Sequence, residues 1–256
     1  MRSDLPTEDF ARGVTWVWLD LDDTLIDFHA NSREALRLLY HAEGLDRFWS
    51  LPETWIAAYE AHNHMLWDRY SRAEITQDFL RVNRFAGPLA HAWTGNISEL
   101  EAFARRLDPI YLDLLARQKA LVPDAMALLD TLRRLGYRTG ILSNGFTDVQ
   151  HRKLSVTGIG PKIDLVVLSD DIGVNKPDTR LYEHAMARAG EPDPTRHLMV
   201  GDNPSTDIAG ALAAGWRAIL LDPLAGSLHA LPDTPRELVT PALRELFEVF
   251  EGAKKP

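Results

Sequence analysis

Residues 15–24 read Thr15-Trp16-Val17-Trp18-Leu19-Asp20-Leu21-Asp22-Asp23-Thr24, a compact apolar run that ends abruptly in acids. A short run without clean polar–apolar alternation suits a strand covered on both faces, as in a parallel sheet. Four similar runs follow at residues 139–142, 165–168, 198–200 and 218–221. Amphipathic helices are predicted between the later ones. Residues 123–135 set Leu128, Leu129, Leu132 and Leu135 on one stripe ahead of Gly136. Residues 178–189 stop at Gly190 and residues 205–214 at Gly215. Glycine past the last helical residue accepts positive φ without penalty and so marks a helix end. Strand and helix in alternation predict an α/β fold with a doubly wound (Rossmann-like), mostly parallel sheet.

The interval between the first two runs breaks that rhythm. Residues 28–120 read as helix after helix, far longer than an ordinary crossover, so they predict an inserted all-helical subdomain. The expected division is a core of residues 13–27 and 121–256, an insert of 28–120 and an N-terminal extension of 1–12. Past the fifth run, residues 223–235 read as loop, 237–239 as an edge strand and 241–251 as a final amphipathic helix.

Of the 256 residues, 45% are hydrophobic and 25% charged, the profile of one large globular domain or a core with an insertion. A net charge of −9 disfavours a nucleic-acid backbone or an anionic membrane as the main partner, since both need a basic face. A small phosphorylated substrate remains open, because a local cation offsets the global field. There are no cysteines, which excludes disulfides, thiolate-held zinc and a cysteine nucleophile. The N-terminal residues carry acids and no apolar segment, unlike a signal peptide, and no apolar run has transmembrane length. A cytoplasmic protein, monomer or homodimer, is expected.

In an open α/β sheet, ligands bind outside the carboxyl ends of the strands. The first run ends in Asp20 and Asp22, and the second in Ser143-Asn144-Gly145. The third is followed by Gly173-Val174-Asn175-Lys176-Pro177-Asp178, and the fourth by Gly201-Asp202-Asn203-Pro204-Ser205-Thr206-Asp207. Alone, the first acids read equally well as a helix cap or a turn cluster. Together, acids that gather at one point repel unless a cation holds them, and hard oxygen ligands point to Mg²⁺. A lysine and a serine beside that ion suit the oxygens of a phosphoryl group.

These four segments, in this order, resemble the haloacid dehalogenase superfamily: Asp20-x-Asp22-x-Thr24, then Ser143, then Lys176-Pro177, then Gly201-Asp202 with Asp207. The resemblance implies a Mg²⁺-dependent phosphatase in which Asp20 forms an aspartyl-phosphate. Asp22 would protonate the leaving oxygen and later take a proton from water. Ser143 and Lys176 would hold phosphoryl oxygens, with Thr24, Asn144, Gly145 and Phe146 beside the substrate. Mg²⁺ would bind the Asp20 and Asp202 carboxylates and the backbone carbonyl of Asp22, with Asp207 supporting the metal shell or Lys176. Dehalogenases of the superfamily carry no acid at the position of Asp22, because a halide leaves without a proton; an alkoxide needs one, so Asp22 argues for phosphate chemistry. Thr24 reads either as a brace for this loop or as a turn residue, and Phe146 as a substrate contact or a helix-leading apolar residue.

The place of the insert, between the first motif and Ser143, implies a helical cap. Its stretch Asn63-His64-Met65-Leu66-Trp67-Asp68-Arg69-Tyr70 with Ile75-Thr76 resembles bacterial pyrimidine 5′-nucleotidases, as do residues 143–147, 173–177 and 198–202. That implies nucleoside 5′-monophosphates, pyrimidines preferred. Phosphatases of phosphoglycolate, sugar phosphates or N-acylneuraminate phosphate share the core motifs and are the alternatives, followed by a phosphomutase or a non-catalytic binding protein. His62-Asn63-His64 matches a string used by some nucleases, but in a helical stretch of an acidic chain it reads as coincidence. Trp49, Trp55, Trp67, Phe79, Phe85 and Trp93 read mainly as helix core, with stacking on a ring as the alternative.

Overall fold

The structure is a computed structural model that describes residues 9–230 and 236–254. Parts of the expected extension (1–8) and of the expected 223–235 loop (231–235) lie outside the described residues. In chain order the elements are β1 (Trp16–Leu19), α1 (Phe28–Ala42), α2 (Pro52–Ser71), α3 (Gln77–Leu89), α4 (Ile97–Leu115), α5 (Ala125–Arg134), β2 (Arg138–Ser143), α6 (Thr147–Thr157) and β3 (Leu165–Leu168). Then come α7 (Thr179–Ala189), β4 (His197–Gly201), α8 (Ala209–Ala213), β5 (Arg217–Leu221), β6 (His229–Ala230), β7 (Glu237–Thr240) and α9 (Leu246–Gly252). The chain divides into two compact units, Met1–Asp27 with Ala120–Pro256, and Phe28–Lys119.

The first unit is a doubly wound α/β layer. Its sheet runs β3-β2-β1-β4-β5-β7-β6, parallel throughout except for the antiparallel β6–β7 pair. Period-2 alternation sends β1 to both faces. Val17 and Leu19 join Leu128, Leu129 and Leu132 of α5 and Val249 and Phe250 of α9 in one core. Trp16 and Trp18 join Leu181, Tyr182 and Ala185 of α7 in the other. With all four β1 residues buried, the strand has no polar face to show, hence the run of hydrophobic letters. On the second face Trp18, His197 and Trp216 stack with ring centroids 4.9–6.4 Å apart, and Trp18 Nε1 donates to His197 Nδ1 at 3.0 Å.

Three expected boundaries shift. Glu237–Thr240 is not an edge: it lies between β5 and β6, and β6 falls inside the stretch read as loop. A two-residue strand is too short to show alternation. The 205–214 helix opens as a π-helical turn over Pro204–Ile208, with α8 confined to Ala209–Ala213. The final helix begins with a 3₁₀ turn at Leu243–Glu245, and α9 starts at Leu246 rather than at Pro241.

The second unit consists of α1–α4. α4 starts where Asn96 and Glu99 cap reciprocally: Glu99 N–H donates to Asn96 Oδ1 at 3.0 Å and Asn96 N–H to Glu99 Oε2 at 2.9 Å. Trp55, Tyr59, Phe85 and Tyr111 pack in its core beside a buried Arg84–Asp108 ion pair. Of the six aromatics singled out above, Trp55 and Phe85 are core, Phe79 is exposed, and Trp49, Trp67 and Trp93 are half-buried. His62 and His64 lie within α2. Among the described residues no helix is long and apolar enough to cross a membrane.

Candidate active site

The strand order reverses direction at β1, whose neighbours are β2 on one side and β4 on the other. In such sheets the crevice at the carboxyl ends of these strands is where side chains from separate loops converge. Asp20 follows β1 directly, and its N–H extends the ladder to Val200 O at 2.9 Å. Ser143 ends β2, Asp202 follows β4, and Asp207 sits in the π-helical turn. Lys176 arrives on the loop between β3 and α7.

Lys176 is the hub. Its ammonium donates to Asp20 Oδ1 at 2.6 Å, Asp207 Oδ1 at 2.6 Å and Leu142 O at 2.8 Å, which uses all three hydrogens. Asn144 clamps the backbone on either side: Lys176 N–H donates to Asn144 Oδ1 at 2.8 Å and Asn144 Nδ2 to Lys176 O at 3.1 Å. Asp207 turns its second oxygen, Oδ2, to the Asn203 N–H at 3.1 Å. It packs directly on Gly201, where a Cβ would meet Oδ2 at 2.3 Å. Thr24, fully buried, donates to Asp202 Oδ1 at 3.2 Å.

Carboxylate oxygens of Asp20, Asp202 and Asp207 lie within 4.8 Å of one another. Three carboxylates against one ammonium leave the cluster short of positive charge. Burial pushes the Asp20 carboxyl well above the usual carboxylate range, with Asp207 and Asp202 adding to the push and Lys176 opposing it. Asp202 is pushed up to about 7, first by burial and then by Asp207 and Asp23. For Lys176 burial pulls downward, but Asp20 and Asp207 outweigh it and the net shift is upward, so it stays charged. A hard-oxygen set with surplus negative charge fits a divalent cation such as Mg²⁺.

The Asp22 carboxyl does not belong to that cluster. Lys153 of α6 grips it at both oxygens, at 2.7 and 2.9 Å, and Gln150 Nε2 reaches Oδ2 at 2.9 Å. The same Gln150 nitrogen reaches Ser143 Oγ at 2.9 Å. The first motif therefore splits, Asp20 towards Lys176 and Asp22 towards α6. Asp23 takes positive φ, 56°, in the turn between Asp22 and Thr24. Gly145 gives its N–H to Ser143 Oγ at 3.2 Å. Phe146 leads α6 with its side chain buried.

The family model of haloacid dehalogenase-like hydrolases matches residues 14–215. The chain belongs to the haloacid dehalogenase-like hydrolases. This hydrolase is 32% identical over 200 residues to the pyrimidine 5′-nucleotidase YjjG of Escherichia coli, covering 78% of this chain and 82% of that one. It is 32% identical over 255 residues to the phosphoserine phosphatase of Thermus thermophilus, covering 90% and 96%. In fold it is similar to the magnesium-bound HAD-hydrolase YfnB of Bacillus subtilis, with a TM-score of 0.80 at 24% identity over 93% of this chain and 99% of that one.

Two residues of this hydrolase's site, Gln150 and Lys153, belong to none of the motifs read in the sequence. Their spacing of three puts them on one face of α6, and both are buried. Polar side chains on the inward face of a helix that starts at a motif strand end are the pattern that marks them.

Proposed function

We propose that this hydrolase is a Mg²⁺-dependent phosphatase that works through an aspartyl-phosphate at Asp20 and prefers pyrimidine nucleoside 5′-monophosphates. The observation that carries the chemistry is the buried ammonium of Lys176 shared by Asp20 and Asp207, with the Asp202 carboxylate beside them. Lys176 takes Oδ1 of Asp20, which fixes the carboxylate plane and leaves Oδ2 as the oxygen to attack phosphorus. The ester P–O bond breaks as the Asp20–phosphorus bond forms, and Asp22 gives the leaving oxygen a proton. Water then attacks the same phosphorus, Asp22 takes its proton, and the bond to Asp20 breaks to release inorganic phosphate. Asp20 and Asp202 would hold Mg²⁺ with the Asp22 carbonyl, and Asp207 serves Lys176. When bound, the ion supplies charge neutralisation for the phosphoryl oxygens. Ser143 and the Gly145 loop take the remaining phosphoryl oxygens.

The division proposed with it is a catalytic core of residues 13–27 and 121–256, an N-terminal extension of 1–12 and a cap of 28–120, to which we assign the choice of leaving group. Nucleotide substrates rest on the likeness to the Escherichia coli nucleotidase. A second reading, phosphoserine, rests on the Thermus thermophilus relative, whose match spans more of this chain. The deciding measurement is kcat/KM for UMP, dTMP, AMP, phosphoserine, phosphoglycolate and glucose 6-phosphate under one Mg²⁺ condition, with Asp20→Asn as the control. Pyrimidine nucleotides should lead AMP by about 10–200-fold, the range one misfitting group in a pocket is worth. Asp20→Asn should fall below about a thousandth of wild type. Phosphoserine or a sugar phosphate ahead by about tenfold, some 1.4 kcal/mol, removes the nucleotidase reading and leaves the phosphatase.

A further inference from the structure

Gln150 is fully buried, and its side chain spans two groups that come from different motifs. As the carboxylate that takes the water's proton, Asp22 only accepts, so in that form the amide faces it with nitrogen, not oxygen. That fixes the assignment: one Nε2 hydrogen goes to Asp22 Oδ2 and the other to Ser143 Oγ, both at 2.9 Å. Ser143 Oγ also accepts from Gly145 N–H at 3.2 Å. A hydroxyl has two lone pairs and one hydrogen. With both lone pairs taken, the Ser143 hydrogen is left to donate, which is what a phosphoryl oxygen needs. The cost is visible at the other end of the amide, where Gln150 Oε1 is buried with no hydrogen-bond partner. One turn on, Lys153 holds both oxygens of Asp22.

We propose that Gln150 and Lys153 are positioning residues: Gln150 sets the Ser143 hydroxyl as an outward donor and, with Lys153, fixes the Asp22 carboxyl in place. The inference deepens the phosphatase reading and rests on it. It divides the two residues by readout. Gln150 acts on both phosphate affinity and leaving-group assistance. Lys153 holds both oxygens of Asp22, so it acts on leaving-group assistance.

The test uses the full chain with Mg²⁺, comparing Gln150→Met and Lys153→Met on UMP, p-nitrophenyl phosphate and competitive inhibition by inorganic phosphate. Methionine keeps the length of either side chain and removes its N–H donors. In both variants kcat/KM should fall about tenfold or more further for UMP, whose alkoxide needs the proton, than for p-nitrophenyl phosphate, whose leaving group needs little help. Gln150→Met should also weaken phosphate inhibition by about tenfold, the worth of one hydrogen bond to a charged group, while Lys153→Met should leave it within about twofold. In an Asp22→Asn background neither methionine should widen the substrate contrast further. A merely structural role would lower both substrates by one factor and spare the contrast. Equal losses on both substrates, or no loss, overturn the inference while the phosphatase stands. If Gln150→Met does not fold, Lys153→Met decides the matter on the same contrast. A wild-type enzyme that frees phosphate from neither substrate overturns the phosphatase reading, and this inference with it.

Discussion

Lys176 sits with 3% of its side chain exposed between two carboxylates that would otherwise face each other. Its charge therefore has a structural as well as a chemical part. Removing one member of a buried ionic group leaves the others desolvated and unpaired, which costs about 3–5 kcal/mol. Lys176→Met should lower the metal-free unfolding free energy by about that amount in urea titration. Asp20→Asn keeps a hydrogen-bonding neighbour for the ammonium and should cost much less. Comparable stability for the two variants would mean that the lysine is not the electrostatic hub. Asp20, Ser143 and Asp202 were legible in the sequence because each directly ends a hydrophobic run, where acids and a serine are conspicuous, whereas Lys176 lies on the loop beyond the third run. The partition of the first motif was not. Asp20 and Asp22 are two letters apart, yet Asp20 answers to Lys176 on a loop and Asp22 to Lys153 on α6. Spacing of letters says nothing about which partner a carboxylate turns to.

At the scale of elements, α6 begins where β2 ends, and Gly145 sits in the joint. A Cβ on Gly145 would meet Gln150 Nε2 at 2.1 Å, so any larger residue must push the amide off Ser143 and Asp22. Gly145→Ala should therefore weaken inhibition by inorganic phosphate about tenfold, as loss of the Gln150 bond does, and lower stability by about 1–3 kcal/mol, since the displaced amide is buried. Unaltered phosphate affinity in Gly145→Ala would show that the amide finds another route to Ser143. The five main strands, α5 and α7 were legible from hydrophobic runs and glycine stops: Gly190 takes left-handed φ as the C-cap of α7. The turn at Pro204–Ile208 was not. Its residues carry ordinary helix-start letters, and the widening is a matter of where Asp207 must point. Ile208 N–H bonds Asn203 O five residues back, at 3.4 Å, while Asp207 reaches Lys176 and the Asn203 N–H. Such turns gather at functional sites. β6 was illegible for a simpler reason, since two residues have no period.

Over the whole molecule, the acidic cluster ties stability to both pH and metal. The chain carries a net charge of −9, and three of its carboxylates are packed within 4.8 Å. Asp202 titrates at about 7 in the fold against an ordinary value of 3.8, and Asp20 is also raised. Between those limits the folded chain binds more protons than the unfolded one, so metal-free stability contributed by these groups is present at low pH. It is lost as pH rises from about 4 through about 7. A divalent cation competes with the same protons. Mg²⁺ should therefore stabilise the protein little near pH 4 and increasingly up to about pH 7, where the carboxyls are ionised and available. At a hundred times its dissociation constant the ion adds about 2.7 kcal/mol. Thermal melts at about pH 4.5, 6 and 7.5, with and without Mg²⁺, should show a gap that widens with pH. Asp202→Asn should close most of that gap at every pH, whereas Asp178→Asn, at the N-cap of α7 and outside the cluster, should leave it intact. A gap independent of pH would mean that the ion binds elsewhere than at Asp20 and Asp202.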